Sequence, residues 1–158
     1  MSNSRLTHVD EHGDAHMVDV GDKPATRRTA TATGYVTLGP DALRAVVEHT
    51  AKKGDVLATA QLAGIQGAKR TSDLIPLCHP LPIDAVDVHL VVEGDRVRCD
   101  ATVSTTWRTG VEMEALTAVS AALLTVYDML KAVDRSMVLG PIALTHKSGG
   151  RSGDYRRA

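Results

Sequence analysis

No phenylalanine occurs anywhere in the chain, and the aromatic residues are only Trp107, Tyr35, Tyr127 and Tyr155. Proteins that grip single-stranded nucleic acid stack its bases on aromatic platforms, so this scarcity argues against that class. Cysteine is nearly as rare: Cys78 and Cys99 are the only two, with no C-x-x-C pair. Neither a disulfide framework nor a zinc ribbon fits that usage, which suits a reducing compartment. The formal charge is −1, so the molecule is not a polycationic surface for nucleic acid, and any basic patch must be local. No run approaches the ~20 apolar residues that a spanning helix needs. The opening Met1-Ser2-Asn3-Ser4-Arg5 leads into a His- and Asp-rich stretch rather than the apolar core of a signal peptide. Together these absences point to a cytoplasmic protein whose partner is neither nucleic acid nor membrane.

What is present is ordinary in bulk. The 158 residues, 43% apolar and 23% charged, suit one domain with a real core. Residues 1–26 are polar, carry His8, His12 and His16, and read as a loosely held arm. A Thr-rich stretch from Arg27 ends in Gly34-Tyr35-Val36-Thr37-Leu38, which reads as a strand. Gly39-Pro40-Asp41 opens a helix with a stripe of Leu43, Val46 and Val47, broken near Gly54. A second helix is expected from about Asp55 to Thr71, where Val56, Ala60, Ala63 and Gly67 recur at helical spacing. Their small size implies close packing. Three prolines make Ser72 to Pro82 a stiff, non-helical segment.

Alternating Val86, Val88, Leu90, Val92 and then Val97, Cys99, Ala101, Val103, joined at Glu93-Gly94-Asp95, form a hairpin signal. A long helix is expected from about Val111 to Val133, with a stripe of Leu116, Val119, Leu123, Val126, Leu130 and Val133. Met137 to Thr145 reads as a last strand, before a mobile tail, 147–158. The order is βαββαβ, an α+β ferredoxin-like pattern over 27–146 with an antiparallel sheet and helices on one face. The open face of so apolar a chain would be covered by oligomerisation.

Three polar clusters interrupt the apolar elements. Lys52-Lys53-Gly54-Asp55 stands where two helices meet; a helix N-terminus with a lysine beside it suits phosphate, although such a run also reads as a solvated turn. Gly64-Ile65-Gln66-Gly67-Ala68-Lys69-Arg70-Thr71 fails the phosphate-loop pattern, since only two residues separate its glycines. Helix packing accounts for those glycines, and the helix dipole for Lys69 and Arg70 at the C-terminal end. His79, boxed by Pro76, Pro80 and Pro82, sits on backbone stiff enough to position a ligand-contacting group. Neighbouring residues on extended backbone point to opposite sides, so Cys78 and His79 are poorly placed as a nucleophile–base pair. A zinc site lacks the usual paired spacing. In the long helix, Glu112 and Glu114 come early, while Asp128 and Lys131, three apart, share a face near the end. Such a pair serves acid–base chemistry if its lysine is partly buried, and is otherwise a surface ion pair.

Several longer blocks are more specific. These are Ala15-His16-Met17-Val18-Asp19-Val20, Lys53-Gly54-Asp55-Val56, Ala68-Lys69-Arg70-Thr71, Asp73-Leu74-Ile75-Pro76-Leu77-Cys78-His79-Pro80, Thr109-Gly110-Val111-Glu112-Met113-Glu114-Ala115-Leu116-Thr117, Tyr127-Asp128-Met129-Leu130-Lys131-Ala132 and Lys147-Ser148-Gly149-Gly150. Their order, from about Leu6 to Tyr155, resembles the MoaC family of molybdenum-cofactor biosynthesis, the cyclic pyranopterin monophosphate synthases. The resemblance implies a lyase that converts 3′,8-cyclo-7,8-dihydroguanosine 5′-triphosphate to cyclic pyranopterin monophosphate and releases pyrophosphate. It also implies ferredoxin-like subunits in hexamers, trimers of dimers, with the active site at a subunit interface. Matched residue by residue, Asp128, Lys131 and Lys53 would be catalytic. Leu77, Cys78, His79, Met113 and Glu114, with Glu112, would contact substrate. Arg28, Lys69, Arg70, Lys147 and Arg151 would hold the triphosphate. Trp107-Arg108 stands where other members often have Lys before the Thr-Gly, and Arg151 where Lys is common, so charge is kept at both places. No metal ligands and no resident cofactor are implied, and the sequence leaves open whether Mg²⁺ accompanies the triphosphate. The alternatives are a noncatalytic small-ligand effector module on the same scaffold, or nucleic-acid binding through the basic tail.

Overall fold

The computed structural model describes residues 12–151 and 153–158; His8 lies outside them. The elements are β1 (Thr26–Thr37), α1 (Pro40–Val47), α2 (Val56–Lys69), α3 (Thr71–Leu74), β2 (Ala85–Glu93), β3 (Arg96–Trp107), α4 (Glu112–Leu130), β4 (Val138–Ser148) and β5 (Tyr155–Arg156). The strands form one antiparallel sheet in the order β2-β3-β1-β4-β5. The fold is therefore α+β, as the alternation of periods predicts.

The two-residue period of β1 and β3 decides which face is inside. Ala30, Ala32 and Val36 pair with Val103, Ala101 and Val97, and all are buried under α4. Leu123 and Leu130 on α4 are fully buried against this face. Removing either side chain would cost about 2–5 kcal/mol as lost transfer energy plus a cavity. α2 lies along α4 and over β2. Small residues permit that approach: a Cβ on Gly67 would stand 2.6 Å from Ala121 Cβ and 3.1 Å from the Thr117 carbonyl oxygen. The close packing expected from glycine and alanine spacing is therefore present.

The opposite face of the sheet is polar, which corrects one premise about assembly. Thr31 and Thr102 share a hydroxyl hydrogen bond of 3.0 Å, and Thr33 donates to Asp100 at 2.7 Å. Arg98 bridges Asp100 and Glu93, and the Arg96 guanidinium lies 4.1 Å from the centre of the Tyr35 ring. An apolar open face is not what would draw subunits together here.

Element ends differ from expectation for local reasons. Val47 is 60% exposed, and the buried stripe of α1 is Ala42 and Val46. Asp55 caps α2 by accepting the Ala58 N–H at 3.0 Å. The first residues of the proline segment are helical, because α3 closes before Pro76 can restrain it. Val133 lies beyond α4, in a turn whose N–H groups at 133 and 134 both reach the Leu130 carbonyl. Lys147 and Ser148 extend β4, and Tyr155–Arg156 pairs along its free edge instead of trailing as tail. By length and composition α4 could cross a membrane. Its burial against the sheet and α2 marks it instead as a core helix.

Candidate active site

The residues singled out in the sequence gather at the two ends of α4. At its N-terminal end, the loop after α3 is fastened at several points. The Cys78 N–H donates to the Ile75 carbonyl at 3.1 Å, the Thr105 hydroxyl donates to the Pro82 carbonyl, and the Asp84 N–H donates to Ser104 at 2.9 Å. This stiff loop faces a cavity of about 390 Å³ with Leu77, Cys78 and His79 in one wall. Glu112, Met113 and Glu114, from the first turn of α4, form another.

A third wall comes from the segment read as an arm: Val18, Val20 and Lys23 line the same cavity. His79 Nε2 lies 2.8 Å from the Val18 carbonyl oxygen. A ring nitrogen facing a carbonyl must carry the proton, so Nε2 donates. Lys23 was missed in the sequence; its signal was the neighbouring 15–20 block, which matched the family while being read as loose chain.

Electrostatics at this end are set by burial. Glu114 is 4% exposed, and desolvation pushes its carboxyl above the usual range, with the negative Glu112 adding to the effect. Burial also raises the Cys78 thiol, helped by Glu114, so this cysteine is not an activated nucleophile. Glu112 faces Lys147 Nζ at 3.4 Å. Arg28 is held beside them by donating to the carbonyls of Trp107 at 3.1 Å and Arg108 at 3.4 Å. Gly149, at φ +89°, lets the chain cross β1 here, since a Cβ would sit 2.2 Å from the Arg27 carbonyl oxygen.

Three of the expected triphosphate contacts stand apart from that group. Lys69 lines a neighbouring cavity of about 380 Å³ that shares Leu81 with the first. Arg70 pairs on the surface with Asp73 at 3.8 Å. Arg151 is exposed in the tail.

At the C-terminal end of α4, one carboxylate joins two lysines. Asp128 Oδ1 lies 2.6 Å from Lys131 Nζ, and Oδ2 lies 2.6 Å from Lys53 Nζ. Lys53 also donates to the Asp128 carbonyl at 3.1 Å. Hydrogen bonds from Lys131 and then Lys53 hold the Asp128 carboxyl down at about 2. The shared face of Asp128 and Lys131 is as expected. The partial burial is corrected, since the side chains of Lys53, Asp128 and Lys131 are 49%, 52% and 52% exposed. Val126 and Leu130 take the buried face, which turns Asp128 and Lys131 outward.

Glu114 and Asp128 are fourteen residues apart on one straight element, about 21 Å at 1.5 Å per residue. Within a single chain the cavity and the lysine–carboxylate cluster are therefore two separate groups of residues. Among the described residues no group of three His, Cys, Asp or Glu side chains could hold a metal ion.

The chain is thus an α+β subunit whose long core helix carries a buried acid at one end and a lysine–carboxylate–lysine cluster at the other, groups of the kind that exchange protons. The chain belongs to the MoaC family, whose model matches residues 17–150. It is 60% identical over 154 residues to "Cyclic pyranopterin monophosphate synthase 1" of Mycobacterium tuberculosis, covering 97% of this chain and 91% of that one. It is 56% identical over 158 residues to the cyclic pyranopterin monophosphate synthase of Parvibaculum lavamentivorans, covering 99% of each. The enzyme of that name from Streptomyces griseus is 58% identical over 154 residues, with 98% and 87% covered.

Proposed function

We propose that this chain catalyses the reaction for which those relatives are named: conversion of 3′,8-cyclo-7,8-dihydroguanosine 5′-triphosphate to cyclic pyranopterin monophosphate and pyrophosphate, in molybdenum-cofactor biosynthesis. The observation that carries the reading is the Lys53–Asp128–Lys131 cluster, closed by two contacts of 2.6 Å in a chain of this family. Turning a triphosphate into a cyclic monophosphate forms a bond from a sugar-derived oxygen to the α-phosphorus. It breaks the bond to the β-phosphate, which leaves in pyrophosphate. The attacking hydroxyl must lose a proton, and the ring rearrangement must move others. Two lysines bridged by one carboxylate can give and take those protons while Asp128 holds them in register.

The cavity at the other end of α4 binds the heterocycle between Leu77, Cys78, His79, Met113 and Glu114. Arg28, Lys69, Arg70, Lys147 and Arg151 are the cations available to the phosphates, and Lys23 joins them from the cavity wall. A single chain cannot bring both half-sites to one small substrate across about 21 Å. The site is therefore shared, with the cavity of one subunit completed by the lysine cluster of another. The subunit is ferredoxin-like, as the β2-β3-β1-β4 order supports, assembled as a trimer of dimers and working in the cytoplasm. Incubating the purified protein with the cyclic guanosine triphosphate derivative tests the function. Equal amounts of cyclic monophosphate and pyrophosphate are expected. Tight binding without product would overturn the proposal in favour of an effector module.

A further inference from the structure

The segment that carries Lys53 is pinned to the end of α4 at two points, and only one of them is the catalytic cluster. Lys53 itself reaches Asp128. Fourteen residues earlier, Gly39, the N-cap of α1, donates its backbone N–H to Asp134 Oδ2 at 2.7 Å. Asp134 stands three residues after Lys131, in the turn that ends α4. Its other oxygen accepts the Ser136 N–H at 2.8 Å and the Ser136 hydroxyl at 2.6 Å. Backbone bonds from Val133 and Asp134 to Leu130, and the Tyr127 hydroxyl donating to the Arg135 carbonyl at 3.3 Å, close the same turn onto the last turns of α4. One carboxylate thus ties the start of the Lys53-bearing segment to the turn that follows Lys131.

From this geometry we infer that Asp134 is a positioning residue for catalysis, a clamp that sets the distance from Lys53 to the carboxylate it shares with Lys131. The inference rests on the proposed function. The neighbouring packing is modest. α1 is eight residues long and fully buries only Ala42 and Val46, with Leu43, Ala45 and Ala51 half-buried against the core, and the turn 48–55 is mostly exposed before Val56 re-enters the core. Without the clamp, the segment would keep its core contacts but lose the tie that fixes its register on α4. The Lys53 contact at 2.6 Å to Asp128 would then be one geometry among several. The Gly39–Asp134 contact is also tight from the other side, since a Cβ on residue 39 would stand 2.8 Å from Asp134 Oδ2. Asp134 ionises below the ordinary carboxylate range, held there chiefly by the Ser136 hydroxyl and then by the Gly39 and Ser136 amides. It is therefore charged and holding its donors throughout the working pH range.

The test is turnover of the cyclic guanosine triphosphate derivative by wild type, Asp134→Ala, Asp134→Asn and Gly39→Ala, well below each unfolding midpoint. Misplacing catalytic groups by about an ångström costs on the order of 10–100-fold in rate. Asp134→Ala is therefore expected to lose at least ~10-fold in kcat with KM within about twofold. Asp134→Asn keeps one carbonyl oxygen and is expected to recover part of the loss. The acid limb of the kcat profile of Asp134→Ala should move to higher pH, because Asp128 loses the Lys53 bond, one of the two that hold its carboxyl low. Gly39→Ala, which leaves the Ser136 bonds in place, gives the same kcat loss in smaller measure and keeps the test open if Asp134→Ala does not fold. Wild-type kcat in both Asp134→Ala and Gly39→Ala would overturn the clamp, as would an unshifted pH profile. An inactive wild type would instead overturn the function on which it rests.

Discussion

Replacing Gly67 with alanine adds one methyl group where the α2–α4 contact has no room. Its Cβ would lie 2.6 Å from Ala121 Cβ, whereas carbon atoms pack best at about 3.5–4.0 Å. The second neighbour, the Thr117 carbonyl oxygen at 3.1 Å, is backbone and cannot rotate away. Relief requires the end of α2 to lift by about an ångström, and overpacking of this kind costs about 1–3 kcal/mol. For a chain of this length each kcal/mol moves Tm by about 2–4 °C, so Gly67→Ala should melt about 2–12 °C below wild type. At Gly64 the nearest neighbours are the buried Val88 methyl at 3.0 Å and the Ala118 carbonyl oxygen at 3.1 Å, a milder clash than 2.6 Å, so Gly64→Ala should cost less. The last turn of α2 leads into α3 and the Leu77-Cys78-His79 loop, so lifting it also disturbs the cavity and should raise KM. Calorimetry and steady-state kinetics on both variants check this. An unchanged Tm in Gly67→Ala, or a larger loss in Gly64→Ala, would refute the packing argument.

Lys53→Ala and Lys131→Ala should each lose most turnover, on the order of 10²–10⁴-fold for a positioned proton-transfer group, while keeping the wild-type circular dichroism spectrum. In both, the Asp128 carboxyl should rise from about 2 toward 3.8, visible in a carboxyl-carbon NMR titration. Its contribution to stability is present above pH 3.8 in wild type and disappears as pH falls through about 2, so the acid limb of unfolding should move upward in the variants. Glu114 runs the other way. Its raised carboxyl costs nothing below its ordinary value of 4.5, and its ionisation inside the fold becomes a growing penalty as pH rises. Glu114→Gln should therefore gain stability relative to wild type between pH 4 and neutrality, while binding substrate more weakly. Parallel denaturation curves at every pH would contradict that.

The sheet was legible because its inner residues alternate without interruption: Val97, Cys99, Ala101 and Val103 all fall on one buried face. The helices were legible in their stripes, and less so at their ends, where a proline acts only from the residue before it and where Val133 continues a periodicity that the backbone has already left. The polarity of the far face was readable in principle, since Thr31, Thr33 and Tyr35 alternate with Ala30, Ala32 and Gly34. The hairpin of β2 and β3 carries the same alternation of polar and apolar faces, which the apolar composition of the whole chain masks. Residues of the site were found by motif, and their placement at opposite ends of one long helix was legible from its periodicity; α4 bears that placement out, with Glu114 and Asp128 fourteen residues apart. Lys23 and Asp134 escaped notice because their roles depend on contacts across long stretches of sequence: the arm against the loop at His79, and the turn after α4 against Gly39.

If one active site takes its cavity from one subunit and its lysine–carboxylate cluster from another, lesions at the two ends of α4 must complement each other between subunits. Lys131→Ala and Glu114→Ala proteins, each with turnover near background, should be refolded together in equal amounts and assayed. Random pairing places both lesions in one site and leaves the other intact in half of the dimers, so activity should return to about a quarter of wild type. A mixture no more active than its two parents would contradict the shared site and would require both ends of α4 to act on substrate within one chain.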